Sequence, residues 1–246
     1  MKKDYLRWIL RAWRYRLMVE KQEISFMLKH LKPGQTAIDI GAHKGAYTYW
    51  MSKYTGANGN VFAFEPQPRL YNQLNKILDH SKINNVHVEL LALSANKGEG
   101  TLLMPGKKTS PSASIHNKNL DDGVSTKINV KTTTLDNYFC GQNHIPVHFI
   151  KCDVEGHELE VLMSGQKLLN KFQPIIVLES EARHCGEENV LAVFDLLDGN
   201  GYDGFFFNGK SMSHLKDFDI YEFQLDPNKK KYVNNFFFIP KSNTNN

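Results

Sequence analysis

The chain has 246 residues, enough for one sizeable core in an undivided α/β domain. An apolar content of 41% with 23% charged residues is that of a soluble globular chain, and no apolar run approaches the ~18 residues of a membrane-spanning helix. The net charge of +4 sits in residues 1–21, where seven Lys and Arg face Asp4 and Glu20. The rest of the chain sums to −1, which argues against a dedicated nucleic-acid binder.

Residues 4–31 read as helix. Leu6, Ile9, Leu10, Trp13 and Leu17 recur at three-to-four spacing, with Arg7, Arg11 and Arg14 on the other side, and "KPG" at 32–34 ends the pattern. The plain expectation is that this stripe packs over a sheet. A basic amphipathic helix with Trp8 and Trp13 also suits an anionic membrane surface, or a protein partner. The segment lacks the apolar core and cleavage site of a signal peptide. Cys140, Cys152 and Cys185 are too few and too widely spaced for a disulfide framework or a zinc site. Together these predict a cytoplasmic protein, with peripheral membrane contact through 1–31 as an option.

Strands and helices then alternate. Strands are predicted at 36–40, 60–65, 86–94, 147–154, 174–180, 202–207 and 234–240, and helices at 45–54, 68–80, 157–165 and 187–199. That alternation predicts an α/β fold with a mainly parallel sheet covered on both faces. Residues 96–130, rich in Gly, Ser, Lys and Asp, form an insertion that is either decoration or a substrate-facing flap. The expected organisation is a basic helical segment (1–33), a catalytic domain (34–240) and a flexible tail (241–246).

The stretch "AIDIGAHKGAYTYW" (37–50) carries the first chemical signal. Asp39 ends a strand, and Gly41 and Gly45 permit a tight turn with close backbone approach to a ligand. The spacing is not the G-x-G-x-x-G of a dinucleotide site, and no G-K-[ST] of a P-loop follows. An acidic residue just before the turn repels phosphate and accepts an amino group. The loop therefore suits a nucleoside ligand with a cationic end and no pyrophosphate, a description that S-adenosylmethionine fits. Glu65, at the end of the second strand, is placed to accept hydrogen bonds from both ribose hydroxyls. The expected donor-binding set is Asp39, Gly41, Ala42, His43, Gly45, Tyr47, Glu65, Pro66, Ala92 and Leu93, with the backbone of His43 used rather than its ring.

The second signal is "FIKCDVEGHELEVLMSG" (149–165). Lys151, Asp153 and Glu155 share one face of an extended chain beside the expected donor. Asp153 or Glu155 is the candidate base for an acceptor hydroxyl, Lys151 tunes the field, and His157 is a further candidate, although a solvated first-turn position is its plainer reading. Glu158 favours the helix N-terminus. A divalent cation held by Asp153, Glu155 and Glu179 is a weaker option. A nucleophilic pair of His184 and Cys185 is not favoured.

With "AIDIGAHKGAYT", "VFAFEPQP", "LALSANKGEGTL", "TTTLDNYF", "FIKCDVEGHELEVLMSG" and "IIVLES" in this order, the chain resembles the FkbM family of S-adenosylmethionine-dependent methyltransferases over about residues 35–180. The resemblance implies a Rossmann-like class I fold with a seven-stranded sheet and an antiparallel last strand. It implies methyl transfer, typically to oxygen on sugars, polyketides or other metabolites. By matching position it implies donor binding by Asp39, Gly41, Gly45 and Glu65, and it places Asp153 and Glu155 in a D-x-E-G signature beside the active centre. The expected function is O-methylation of a sugar hydroxyl in a glycan, glycolipid or related metabolite. The alternatives are an RNA or protein methyltransferase, supported only by the basic helix and "KKK" at 229–231, and a non-catalytic donor-binding module.

Overall fold

A computed structural model of the chain describes residues 2–106, 109–115, 126–141, 144–228 and 231–244. Its centre is β1 (Thr36–Ile40), flanked in parallel by β2 (Asn60–Phe64) and β7 (Phe149–Cys152). All five residues of β1 are buried, as befits a strand covered on both faces. β3 (Val86–Glu89) continues the sheet beyond β2, and β8 (Ile175–Glu179) continues it beyond β7. β11 (Asn235–Pro240) then inserts antiparallel between β8 and β9 (Tyr202–Asn208).

The seven expected strands form the sheet, and an eighth, β10 (Ser211–His214), extends it through a tight turn at Gly209 and Lys210. The expected strand 86–94 is divided. β3 stays in the main sheet, while β4 (Ala92–Leu93) joins a second sheet with β5 (Gly98–Met104) and β6 (Thr126–Thr133). β5 and β6 are the described strands of the expected insertion; residues 107–108 and 116–125 lie outside the described residues, as do 229–230 of "KKK".

The period-2 alternation of β1, β2, β7 and β8 divides the core. One face carries Ile38, Ile40, Phe64, Ile150, Cys152 and Leu178. It packs on α5 (Leu135–Phe139), α6 (Glu158–Met163), α7 (Gln166–Phe172), α8 (Ala182–Cys185) and α9 (Glu187–Gly199). The other carries Ala37, Val61, Phe149, Val177 and Phe237 under α3 (Ala46–Thr55) and the N-terminal helices. The expected helix 4–31 is two helices, α1 (Lys2–Arg14) and α2 (Lys21–His30), joined by a π-helical turn, with non-helical backbone at Glu20 (φ −126°, ψ 56°).

The face that α1 buries is not the expected one. Trp8 and Ala12 are buried, while Leu6, Leu10, Trp13 and Leu17 face out. Trp8 packs with Leu74, Ile77 and Leu78 of α4 (Pro68–Ser81), and Ala12 offers its carbonyl to Trp50 Nε1 at 2.9 Å. The small Ala12 side chain lets the Trp50 indole seat against the helix, and that fit decides which face turns inward. At the other end, Lys241–Thr244 of the expected tail form a helical turn, with Lys241 Nζ 2.8 Å from Asp198. Among the described residues no helix is long and apolar enough to cross a membrane.

Candidate active site

The sheet order changes direction at β1, with β2 on one side and β7 on the other, so the carboxyl ends of these strands open a crevice. A cleft open to solvent lies there, lined by residues from the ends of these strands and from the N-terminal segment.

The glycine turn is built by close approach. Gly41 has φ 77°, and a Cβ there would lie 1.9 Å from the Asp153 carbonyl oxygen, so only glycine lets the ends of β1 and β7 meet. His43 is also left-handed (φ 49°) and points its amide at Glu65. Gly45 departs from expectation, since it does not line the cleft. A Cβ there would meet Leu74 and the Trp8 indole at 2.9 Å, and its carbonyl accepts from Trp8 Nε1 at 2.7 Å. Gly45 therefore shapes the turn from behind.

Two buried carboxyls, Glu65 and Asp39, line the cleft. Glu65 is 2% exposed; Oε2 accepts the His43 amide at 2.7 Å and Oε1 the Gln67 amide at 2.8 Å. Burial outweighs these bonds and pushes the Glu65 carboxyl up to about 7. Asp39 Oδ2 accepts from Thr48 Oγ1 at 2.5 Å, while buried Oδ1 has no hydrogen-bond partner among the described residues. A buried acceptor without a donor is costly, and a ligand amino group would satisfy it. Ala42, His43, Tyr47, Pro66, Ala92 and Leu93 all line the cleft. Burial, then the neighbouring Lys44, lowers the His43 ring to about 4.

At the end of β7, register explains the first contact. Lys151 pairs with Asp39 across β1 and β7, so both side chains leave the same sheet face. The Lys151 ammonium is 3.0 Å from Asp153 Oδ2 and 5.3 Å from the Tyr47 ring centroid. Burial alone would lower its pKa, but Asp153, Asp39 and Glu20 together drive it upward. Lys151 thus remains an ammonium and is no proton acceptor.

Glu155 is left-handed (φ 56°), and its Oε2 lies 3.2 Å from His184 Nε2. Burial first, then Asp153, Glu158 and Glu181, raise its carboxyl to about 8. His157 lines the cleft but is buried, at 6% exposure, not solvated; its Nε2 is 2.8 Å from Ser94 Oγ. Glu158 accepts the Val154 and Gly156 amides at 3.1 Å each, so it braces this loop. Cys185 Sγ donates to the Glu181 carbonyl. Glu179 lies outside the cleft, bound by Asn234 Nδ2 at 2.8 Å. Asp153, Glu155 and Glu179 are therefore not a convergent set, and among the described residues no three His, Cys, Asp or Glu side chains group to hold a metal.

Several lining residues escaped the sequence reading. Arg11, Tyr15 and Glu20 close the cleft from the N-terminal segment. Glu20 interacts with Tyr47 and is raised to about 7 by burial. The signal was one of two acids within "RLMVEKQEISF", but its distance from the glycine loop hid its use. Gln67 grips the insertion. Its amide nitrogen donates to the Ser110 carbonyl at 2.9 Å, and its oxygen accepts the Ser110 amide at 3.0 Å. Pro111, Ala113 and Ile115 thereby reach the cleft.

With this geometry fixed, residues 39–204 match the methyltransferase FkbM domain family. The chain belongs to the FkbM methyltransferase family. It is 29% identical over 168 residues to the hexuronic acid methyltransferase AglP of Haloferax volcanii, covering 67% of this chain and 64% of that one. The chain thus spans less than two thirds of that relative's length. A 57-residue stretch is 38% identical to the ribosomal RNA large subunit methyltransferase E of Hydrogenovibrio crunogenus, covering 23% of this chain and 28% of that one. In three dimensions it is similar to an FkbM methyltransferase from Methylobacillus flagellatus KT. The TM-score is 0.53 at 13% identity, over 96% of this chain and 54% of that one. The Rossmann-like methyltransferase sheet, with the antiparallel β11, is therefore the family fold.

Proposed function

We propose that this FkbM methyltransferase uses S-adenosylmethionine to methylate a sugar hydroxyl in a glycan or glycolipid. The observation that carries the reading is one cleft lined together by Asp39, Gly41, Glu65, Lys151, Asp153 and Glu155. The fit to the donor rests on the unsatisfied Asp39 Oδ1, the glycine-only approach at Gly41 and the buried Glu65. Asp39 takes the donor's amino group, and Glu65 takes both ribose hydroxyls. When bound, the donor supplies a methyl group activated on sulfonium sulfur.

The chain's own residues orient the acceptor and remove its proton. Asp153, steadied by Lys151 at 3.0 Å, is the base for the acceptor hydroxyl. Glu155, raised to about 8 and beside His184, is largely protonated at neutral pH and donates a positioning hydrogen bond. The sugar assignment draws support from the Haloferax relative, whose name specifies a hexuronic acid. Arg11 and Lys44 on the cleft wall suit an anionic sugar.

The test is calorimetric titration with S-adenosylmethionine and, separately, NAD, followed by transfer of labelled methyl to neutral sugars and uronic acids. Binding of the first donor alone and label on a sugar are expected. Binding of NAD instead would overturn the donor assignment. Label on RNA or protein alone would overturn the acceptor assignment.

A further inference from the structure

The outer face of α1 and of the π-helical turn that follows it is apolar. Leu6, Leu10 and Trp13 on α1 and Leu17 in the turn recur every three or four residues at 55%, 59%, 42% and 59% exposure, and Met18 and Val19 of the turn are also exposed. The opposite face, with Trp8 and Ala12, makes the contacts with α3 and α4. Burial of α1 in its own fold therefore does not account for this stripe. Trp13 is held edge-on to buried Trp50, with ring centroids 4.9 Å apart, so the patch is presented in fixed orientation.

Charge identifies the occupant. Lys2, Lys3, Arg7 and Arg14 are exposed on the same helix, within a segment of net charge +5 in a chain whose remainder sums to −1. A second copy would bring these cations against one another. An anionic phospholipid surface accepts both features: acyl chains take the leucines and Trp13, and headgroups take the basic side chains.

We propose that α1 lies in the plane of an anionic phospholipid surface and docks the protein on it. The same helix lines the cleft with Arg11, so the cleft mouth comes within about one helix diameter, ~10–12 Å, of the lipid plane. Resting on the methyltransferase reading above, this favours a lipid-linked glycan as acceptor. The docking itself does not depend on that reading.

The test uses the full chain without donor or acceptor, co-sedimented with vesicles of phosphatidylcholine alone or with added phosphatidylglycerol. Binding to the anionic vesicles, weakened by salt, is expected, with a blue shift of tryptophan emission. Trp13 is the tryptophan positioned to report it, because Trp8 and Trp50 are buried. Leu10→Glu with Leu17→Glu should abolish binding. Arg7→Gln with Arg14→Gln should weaken it about 25-fold, at about fivefold per cation. Each variant's melting and donor titration report the fold and the cleft independently, so failure of docking and failure of the methyltransferase reading give different results. The proposal is overturned if folded wild-type protein ignores anionic vesicles at low salt, or binds neutral ones equally. It is also overturned if the leucine variant abolishes self-association in a protein that binds no vesicle.

Discussion

Glu65 offers the sharpest test of the donor site. Burial raises its carboxyl to about 7, yet accepting two ribose hydroxyls requires the ionised form. Below pH 7 the free protein holds a proton that binding must expel, so the donor dissociation constant should rise about tenfold per pH unit there and flatten above. Affinity at pH 6 should be about tenfold weaker than at pH 8. Replacing Glu65 by glutamine removes charge-assisted bonds contributing about 1.5–3 kcal/mol, a loss of about 10–100-fold at pH 8. At pH 6, where wild type is itself impaired, that ratio should shrink about tenfold. The donor's own α-amino group titrates at about 7.7–8.0 and affects both proteins alike, so the ratio isolates Glu65. A glutamine side chain has a single acceptor oxygen and cannot receive the His43 and Gln67 amides on separate oxygens, so the Glu65→Gln variant should also melt lower. Calorimetric titration at both pH values, on protein shown to melt cooperatively, decides the matter. Equal affinities at pH 8, or a ratio indifferent to pH, would refute the ribose assignment.

Gly41→Ala should cost upwards of about 3 kcal/mol in urea denaturation and abolish donor binding, because its Cβ would lie 1.9 Å from the Asp153 carbonyl; an unchanged midpoint would sink the close-approach argument. Glu20, Glu65 and Glu158 are raised to about 7 and Glu155 to about 8, in each case chiefly by burial. The folded protein keeps protons that the unfolded chain releases near pH 4.5, so their stabilisation is complete below that pH and lost as pH rises through 7 to 8. Thermal denaturation without ligand should therefore show a midpoint that falls from pH 5 to pH 8; a rise would contradict the burial of these acids. Asp153→Asn should lower methyl transfer at least about 100-fold with donor affinity little changed; retained turnover would remove Asp153 from the base role. Gln67→Ala removes both bonds to Ser110 and should speed amide exchange there and raise the acceptor KM; unaltered exchange would show that Gln67 does not hold the loop.

The central strands were legible because their burial on both faces leaves near-continuous apolar runs, and the glycine turn because an acid and two glycines at a strand end have few structural uses. What escaped the reading depends on pairings distant in sequence. β10 is a polar edge strand, "SMSH", whose only local cue is the Gly209-Lys210 turn. The clamp of Gln67 on Ser110 joins residues 43 apart. The buried face of α1 could not be chosen from α1 alone, since Trp8 and Ala12 on one side and the leucines on the other are both apolar. Trp50 and α4 make the choice.

That choice changes how the N-terminal segment must be tested. Trp8 Nε1 donates to the Gly45 carbonyl, Ala12 receives Trp50, and Arg11, Tyr15 and Glu20 line the cleft. α1 is therefore built into the glycine turn and is no appendage. Deleting residues 1–21 would expose Trp50 and Leu74 and remove one wall of the site, so lost activity in the truncated protein would say nothing about membranes. Substitutions confined to Leu10 and Leu17 leave every one of these inward contacts in place. They should reduce turnover on a vesicle-bound acceptor while sparing turnover on the same sugar in solution. Equal losses on both acceptors would place the leucines in the fold and not at a lipid surface.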